Sequence, residues 1–171
     1  MTDAPAGPQL GRHVADPGDG TVLFLIGMRI NRLHRVRSWL PITRAMPQIL
    51  AELEAHPEDG LLSSRGFWSG RVVMLVQHWR SAEDLGRYAR RRDRRHAAAW
   101  AAFDRATASS GDVGVFHETY VVPADGIESR YVDMPPFGLG AATAIVPRRG
   151  GAGRGRRSRA ERLVVGSDDA G

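Results

Sequence analysis

Three patches of the 171-residue sequence carry side chains able to do chemistry. The first is His117-Glu118-Thr119-Tyr120, which brings an imidazole, a carboxylate and a phenol together within four residues. In an extended segment, alternation sends His117 and Thr119 to one face with Val113, Val115 and Val121. Glu118 and Tyr120 go to the other face with Phe116. A titratable group among apolar neighbours needs a partner, because burial without one is costly. The patch therefore reads either as a satisfied core histidine with an acid at a subunit seam, or as a base with orienting groups. The second patch is His78-Trp79, whose side chains point to opposite faces. Trp79 shares its face with Val73, Leu75 and Gln77, which favours the core over a pocket wall. The third is His96, Trp100 and Phe103, spaced i, i+4 and i+7 on one helical stripe. That stripe either rims the core, with the histidine snorkelling, or hangs over a cavity between helix and sheet.

Other chemistries are missing. Without any cysteine there is no disulfide framework, no thiolate nucleophile and no thiolate metal site. The spacing of His78, His96 and His117 matches no metal-ligand signature, so no metal is expected. No Gly-rich phosphate loop and no G-x-S-x-G elbow occurs. Gly138-Leu139-Gly140 follows two prolines rather than a strand and does not qualify.

The elements that must position these patches are legible from punctuation and period. Thr21–Ile30 is a continuous apolar run enriched in branched residues and predicts a buried strand. Ser38–His56 shows helical spacing, with Ile42, Met46, Ile49, Leu50 and Leu53 on one face. Pro41 suits a first turn, and Pro47 is expected to kink that helix or mark its true start. Leu61–Trp68, a Ser69-Gly70 turn and Arg71–Trp79 predict a β-hairpin. Ser81-Ala82-Glu83-Asp84 is a capping signal for a second helix, which stutters at Arg90–Arg95 and resumes over His96–Ala106. The five arginines in six residues at 90–95 read as a solvated junction. Asp112–Pro123 predicts a last core strand, and Tyr131–Leu139, broken by prolines, an extended arm.

The order is β-α-β-β-α-β, an α+β, ferredoxin-like pattern with an antiparallel sheet and two helices on one face. The other face stays open in a single copy, so a homodimer is expected. The ordered domain spans 21–146. Residues 1–20, rich in Pro, Gly and Asp, are expected to be a flexible lead-in, and 147–171 a disordered Arg/Gly-rich tail.

The net charge of +5 comes from arginine alone, since lysine is absent. Residues 147–171 hold seven arginines against three acids, whereas 1–146 hold 17 against 16. The body is nearly neutral, so nucleic acid is disfavoured as a partner beyond weak, salt-sensitive contacts of the tail. The start lacks a secretory signal pattern, and no apolar run reaches the roughly 18–20 residues of a membrane span. A cytoplasmic protein with a small-molecule substrate and no membrane contact is the expectation.

Five segments occur in an order that resembles a known family: MRINRLHRVRSWLP (28–41), VMLVQHWRSAEDLGRYAR (73–90), HAAAWAAF (96–103), SGDVGVFHETYVVPAD (110–125) and VDMPPFGLG (132–140). They resemble a bacterial family that carries the label monooxygenase and is otherwise classed as a domain of unknown function. Its fungal relatives are described as phenylacetaldoxime-dehydratase-like. The chain departs from the family at Arg90–Arg95 and in its basic tail.

The resemblance implies a dimeric α/β barrel with a pocket between sheet and helices, and cofactor-independent oxygenase chemistry on a small aromatic or polyketide-like molecule. The superfamily's haem-degrading members use an Asn on the first strand, a Trp on the third and a His on the second helix. Asn31, Trp79 and His96 are similar in type, although the Trp-to-His interval is longer here. The expected catalytic set is thus His96 or His117 as base, with Asn31 and Tyr120 as donors. The expected substrate-binding set is Trp79, Trp100 and Phe103, with His78 and Glu118 as orienting groups. No cofactor is expected. Haem is the alternative, in a dehydratase or haem-degrading enzyme with His96 or His117 as axial ligand, and a non-catalytic small-molecule binder is the third option.

Overall fold

A computed structural model of the chain describes residues 7–91 and 110–148. Eleven residues from Gly20 to Ile30 form the central strand β2, with α1 over Val36–Glu54 and the hairpin arms β3 (Leu61–Ser69) and β4 (Val72–Trp79). Helix α2 (Ala82–Arg90) and strand β5 (Val113–Pro123) follow. The sheet order is β3-β4-β2-β5 with every pair antiparallel, which is the expected ferredoxin-like arrangement.

The even-numbered residues of β2 face the helices. Val22 packs with Leu53, Trp79 and Leu85, while Met28 and Ile30 pack with Val113, Trp39, Ile42 and Val73. Burying these apolar side chains is the main driving force for docking the two helices, at roughly 25 cal/mol per Å² removed from water. Ser81 caps α2, its hydroxyl accepting the Asp84 backbone N–H at 3.0 Å.

Three expectations are corrected. Helix α1 does not start at Pro47; it begins at Val36 and runs through both Pro41 and Pro47, which also puts Pro41 past the first turn. Both prolines are exposed, so their rings lie on the solvent side, and the packing of Trp39, Ile42 and Leu53 holds the helix together. The hairpin turns at Gly70-Arg71 rather than Ser69-Gly70, since Ser69 still pairs with Val72. Gly70 takes φ +55°, a positive φ of the kind that favoured two-residue hairpin loops need.

The lead-in is not wholly flexible: Gln9–Ala15 forms strand β1. It pairs with β6 (Tyr131–Met134) on one side and β7 (Ile145–Pro147) on the other, making a second, three-stranded sheet. A Pro/Gly-rich segment without apolar period carries no strand signal of its own. Pairing supplies it: Ala15 N–H reaches Ser129 Oγ at 2.8 Å, and Gly11 N–H reaches the Asp133 carboxylate at 2.8 Å. Between β6 and β7 a single helical turn, α3 (Leu139–Ala142), lies against β3. This arm covers the β3 side of the sheet face turned away from the helices.

Candidate functional site

The β4–β2–β5 ladder fixes where each candidate side chain goes. Leu23 lies opposite both His78 and Tyr120, Leu25 opposite Glu118, and Ile26 opposite His117. His117 therefore stands on the helix face, its ring 6.0 Å from Phe24, and is exposed. Glu118, Tyr120 and His78 share the opposite face. The expected set of Asn31, His117 and Tyr120 does not converge on one point. His96, Trp100 and Phe103 lie outside the described residues.

Each remaining candidate has a definite occupation. Asn31 donates from Nδ2 to Gly111 O at 3.1 Å and accepts from Arg29 at Oδ1, so both ends of its amide are engaged. It belongs to a bracket joining the end of β2 to the start of β5. There Asp112 accepts from Ser38 Oγ at 2.9 Å and from Arg32 at 3.1 Å. Those contacts, the Ser38 hydrogen bond foremost, hold the Asp112 carboxyl below its ordinary range. Tyr120 donates to Glu118 Oε2 at 2.6 Å. That hydrogen bond and the neighbouring negative charge raise the phenol's pKa, so it stays protonated and its one proton is committed. Trp79 is 0% exposed and donates from Nε1 to Gln77 Oε1 at 3.1 Å. As a fully enclosed residue packed on Val22, Leu53 and Leu85, it is core and not the wall of an open pocket.

His78 is differently placed. It is 8% exposed, yet it lines a cavity of about 60 Å³. The cavity is bounded by Ser63, Arg65, Phe67 and Val76 of the hairpin and by Phe137 and Ala141 of the arm. Ser63 sits across the ladder from His78, and its Oγ is 3.2 Å from Nδ1. Burial pushes the imidazole's pKa below the ordinary histidine range, so the ring is neutral at pH 7. In the tautomer with its proton on Nδ1, that N–H donates to Ser63 Oγ and Nε2 carries a lone pair. The Ser64 hydroxyl is enclosed with no partner among the described residues. Phe137 meets Phe67 edge-on, with centroids 6.5 Å apart, and carries the Arg65 guanidinium 4.6 Å above its ring. The arm that brings Phe137 here is held by Tyr131, whose hydroxyl accepts the Gly140 N–H at 3.0 Å.

A neutral, buried imidazole with a hydroxyl on one nitrogen and apolar walls around it can take a proton from an acidic O–H or C–H. Sequence reasoning ranked His78 only as an orienting group and missed Ser63, Arg65 and Phe137. The signal for Ser63 was the hairpin register. A turn at Ser69-Gly70 would have set Leu61, not Ser63, across from His78.

Among the described residues there is no cluster of three or more His, Asp or Glu able to hold a metal ion. Haem does not fit the cavity, since about 60 Å³ falls far short of the roughly 300–1,000 Å³ of pockets that enclose cofactor-sized ligands. No helix among the described residues is long and apolar enough to cross a membrane.

Monooxygenase af470 of Aspergillus fumigatus is 28% identical to the chain over 152 residues, covering 81% of this chain and 52% of that protein. Among solved structures, an aldoxime dehydratase (OxdRE) crystallised with butyraldoxime superposes with a TM-score of 0.67 at 19% identity, over 84% of this chain and 42% of the other. A second aldoxime dehydratase gives 0.64 at 24% identity, over 85% and 44%. At these identities the likeness to the dehydratases is one of fold. The chain spans about half the length of the relatives it matches. The family model described as Monooxygenase af470-like covers residues 21–139, and the chain belongs to that family.

Proposed function

We propose that the chain is an oxygenase-like enzyme in which His78 is the general base, acting on a small phenol or enol without a cofactor. The observation that carries this reading is the buried, neutral His78 held by Ser63 on the inner wall of a small, largely apolar cavity. Such a site holds the base in its proton-accepting form and keeps water from competing. The cavity takes only the reacting group, while the rest of the substrate lies over Phe67 and Phe137 at the mouth. His78 Nε2 removes the proton, and the substrate anion gives electrons to O₂. One oxygen atom ends as a new carbonyl on the substrate and the other as water, the substrate supplying all four electrons.

The working unit is a pair of copies meeting on the open sheet face of Leu23, Leu25 and Phe116. One finding supports the pairing: Leu23, Leu25 and Phe116 form an apolar patch on that face, and the arm leaves it uncovered.

Oxygen uptake by the full chain with hydroxynaphthalenes and cyclic 1,3-diketones tests the reading. His78→Gln should lose about 10²–10⁴-fold in rate, the usual worth of a general base, with the fold retained by circular dichroism. Activity that survives in His78→Gln, or that falls instead with His117→Gln, overturns the assignment. A Soret band on adding haem, lost with His117→Gln, would replace it by the haem alternative.

A further inference from the structure

We propose that Arg65 is the specificity determinant of this cavity, selecting substrates that carry a carboxylate beside the ionisable hydroxyl. The inference rests on the cavity being the reaction site and names the substrate class it takes: small hydroxyaryl or enolic carboxylic acids. Arg65 is two residues from Ser63 on β3, so both side chains leave the same sheet face, roughly 7 Å apart along the strand. Both line the cavity with His78.

The charge of Arg65 is unspent. The carboxylates that pair with arginine go elsewhere: Asp112 to Arg32, Asp84 to Arg80 and Arg87, Asp59 to Arg91. No carboxylate pairs with Arg65 among the described residues. What it has is the Phe137 ring, 4.6 Å below its guanidinium carbon. Stacking on a ring uses the face of the guanidinium and leaves the in-plane N–H donors at its edge. Those donors match a carboxylate in two parallel hydrogen bonds. Phe137 is itself braced by Phe67, so the exposed guanidinium has a fixed ring to rest on at the mouth.

The inner half of the site is built for a neutral or proton-donating group. His78 is uncharged, and Ser63 on its Nδ1 leaves Nε2 free to accept a proton. A cation at the mouth and a base inside suit one molecule whose acid group stays outside and whose hydroxyl points in. Proton removal by His78 creates a second negative charge on that molecule, which the same guanidinium stabilises.

Calorimetric titration of the full chain with salicylate and with methyl salicylate tests this. Salicylate should bind at least tenfold tighter than its ester. Arg65→Gln should remove the difference by weakening salicylate alone, and Arg65→Lys should keep part of it as a charge without the planar fork. Equal affinities for acid and ester, no salicylate binding, or an acid preference that survives in Arg65→Gln overturns the proposal. The oxygenase reading fails separately: if salicylate binds through Arg65 but no hydroxy acid drives His78-dependent oxygen uptake, Arg65 stands as the ligand selector and the proposed reaction falls.

Discussion

Trp79→Phe separates a core tryptophan from a pocket tryptophan. The indole is fully enclosed, 5.4 Å from the Tyr88 ring, with its N–H given to Gln77 Oε1 at 3.1 Å. Phenylalanine keeps one ring of the two, and the missing part forfeits roughly 1–2 kcal/mol of transfer and cavity energy. The change also leaves Gln77 Oε1, in a side chain only 5% exposed, without its donor. An orphaned buried acceptor costs about 1–3 kcal/mol. The total is about 2–5 kcal/mol, measurable as a lower urea midpoint at constant slope. Replacing both partners relieves the second cost. Trp79→Phe with Gln77→Leu should therefore recover about 1–2 kcal/mol of the single variant's loss, and the two changes should be strongly non-additive. Because Trp79 and His78 point to opposite faces, oxygen uptake per folded molecule should not change. A loss below about 1 kcal/mol, a double variant no better than Trp79→Phe, or a selective loss of activity refutes the placement of Trp79 in the core.

Burial lowers the His78 pKa, so the unfolded chain binds its proton more readily than the folded one. The contribution is whole above the unfolded value and is lost as pH falls from about 6.5 toward the folded pKa. Urea titrations across pH 7 to 5 should show this slope, and His78→Gln should flatten it. Gly60→Ala should cost about 2–4 kcal/mol, because Gly60 has φ +93° and a Cβ there would lie 2.6 Å from Asp84. Asp84 cannot move aside easily: Arg80 donates to it at 2.7 Å, Arg87 also contacts it, and its carboxyl is held below the ordinary range chiefly by Arg80. A midpoint unchanged from the parent would show that this cluster yields. Leu25→Glu would set a second carboxylate beside Glu118 on the open sheet face. Light scattering should then report a fall from twice 18.7 kDa to 18.7 kDa with the fold intact; a persistent dimer would place the interface elsewhere.

Much of the fold was legible because its signals are local. The apolar run of β2, the helical period of α1 and the Ser81 cap each act within one element, and together they name the ferredoxin-like order. Alternation likewise put His117 and Tyr120 on opposite faces before any pairing was known, since successive side chains in a strand cannot share a face. Strand β1 was hidden for the opposite reason. Its backbone donors and acceptors are satisfied by β6 and β7, more than a hundred residues away, and nothing in its own composition announces them.

The sequence by itself determined the element order, the split of charge between body and tail, and the lack of thiolate and phosphate-loop chemistry. Tertiary structure alone decided which of the described histidines is enclosed. A single step in the hairpin turn sets whether His78 faces Leu61 or Ser63, and an arm from residues 131–142 closes Phe137 over the result. Register and long-range closure belong to pairs of segments rather than to either one, so the buried base and the unpaired cation beside it come together only in the folded chain.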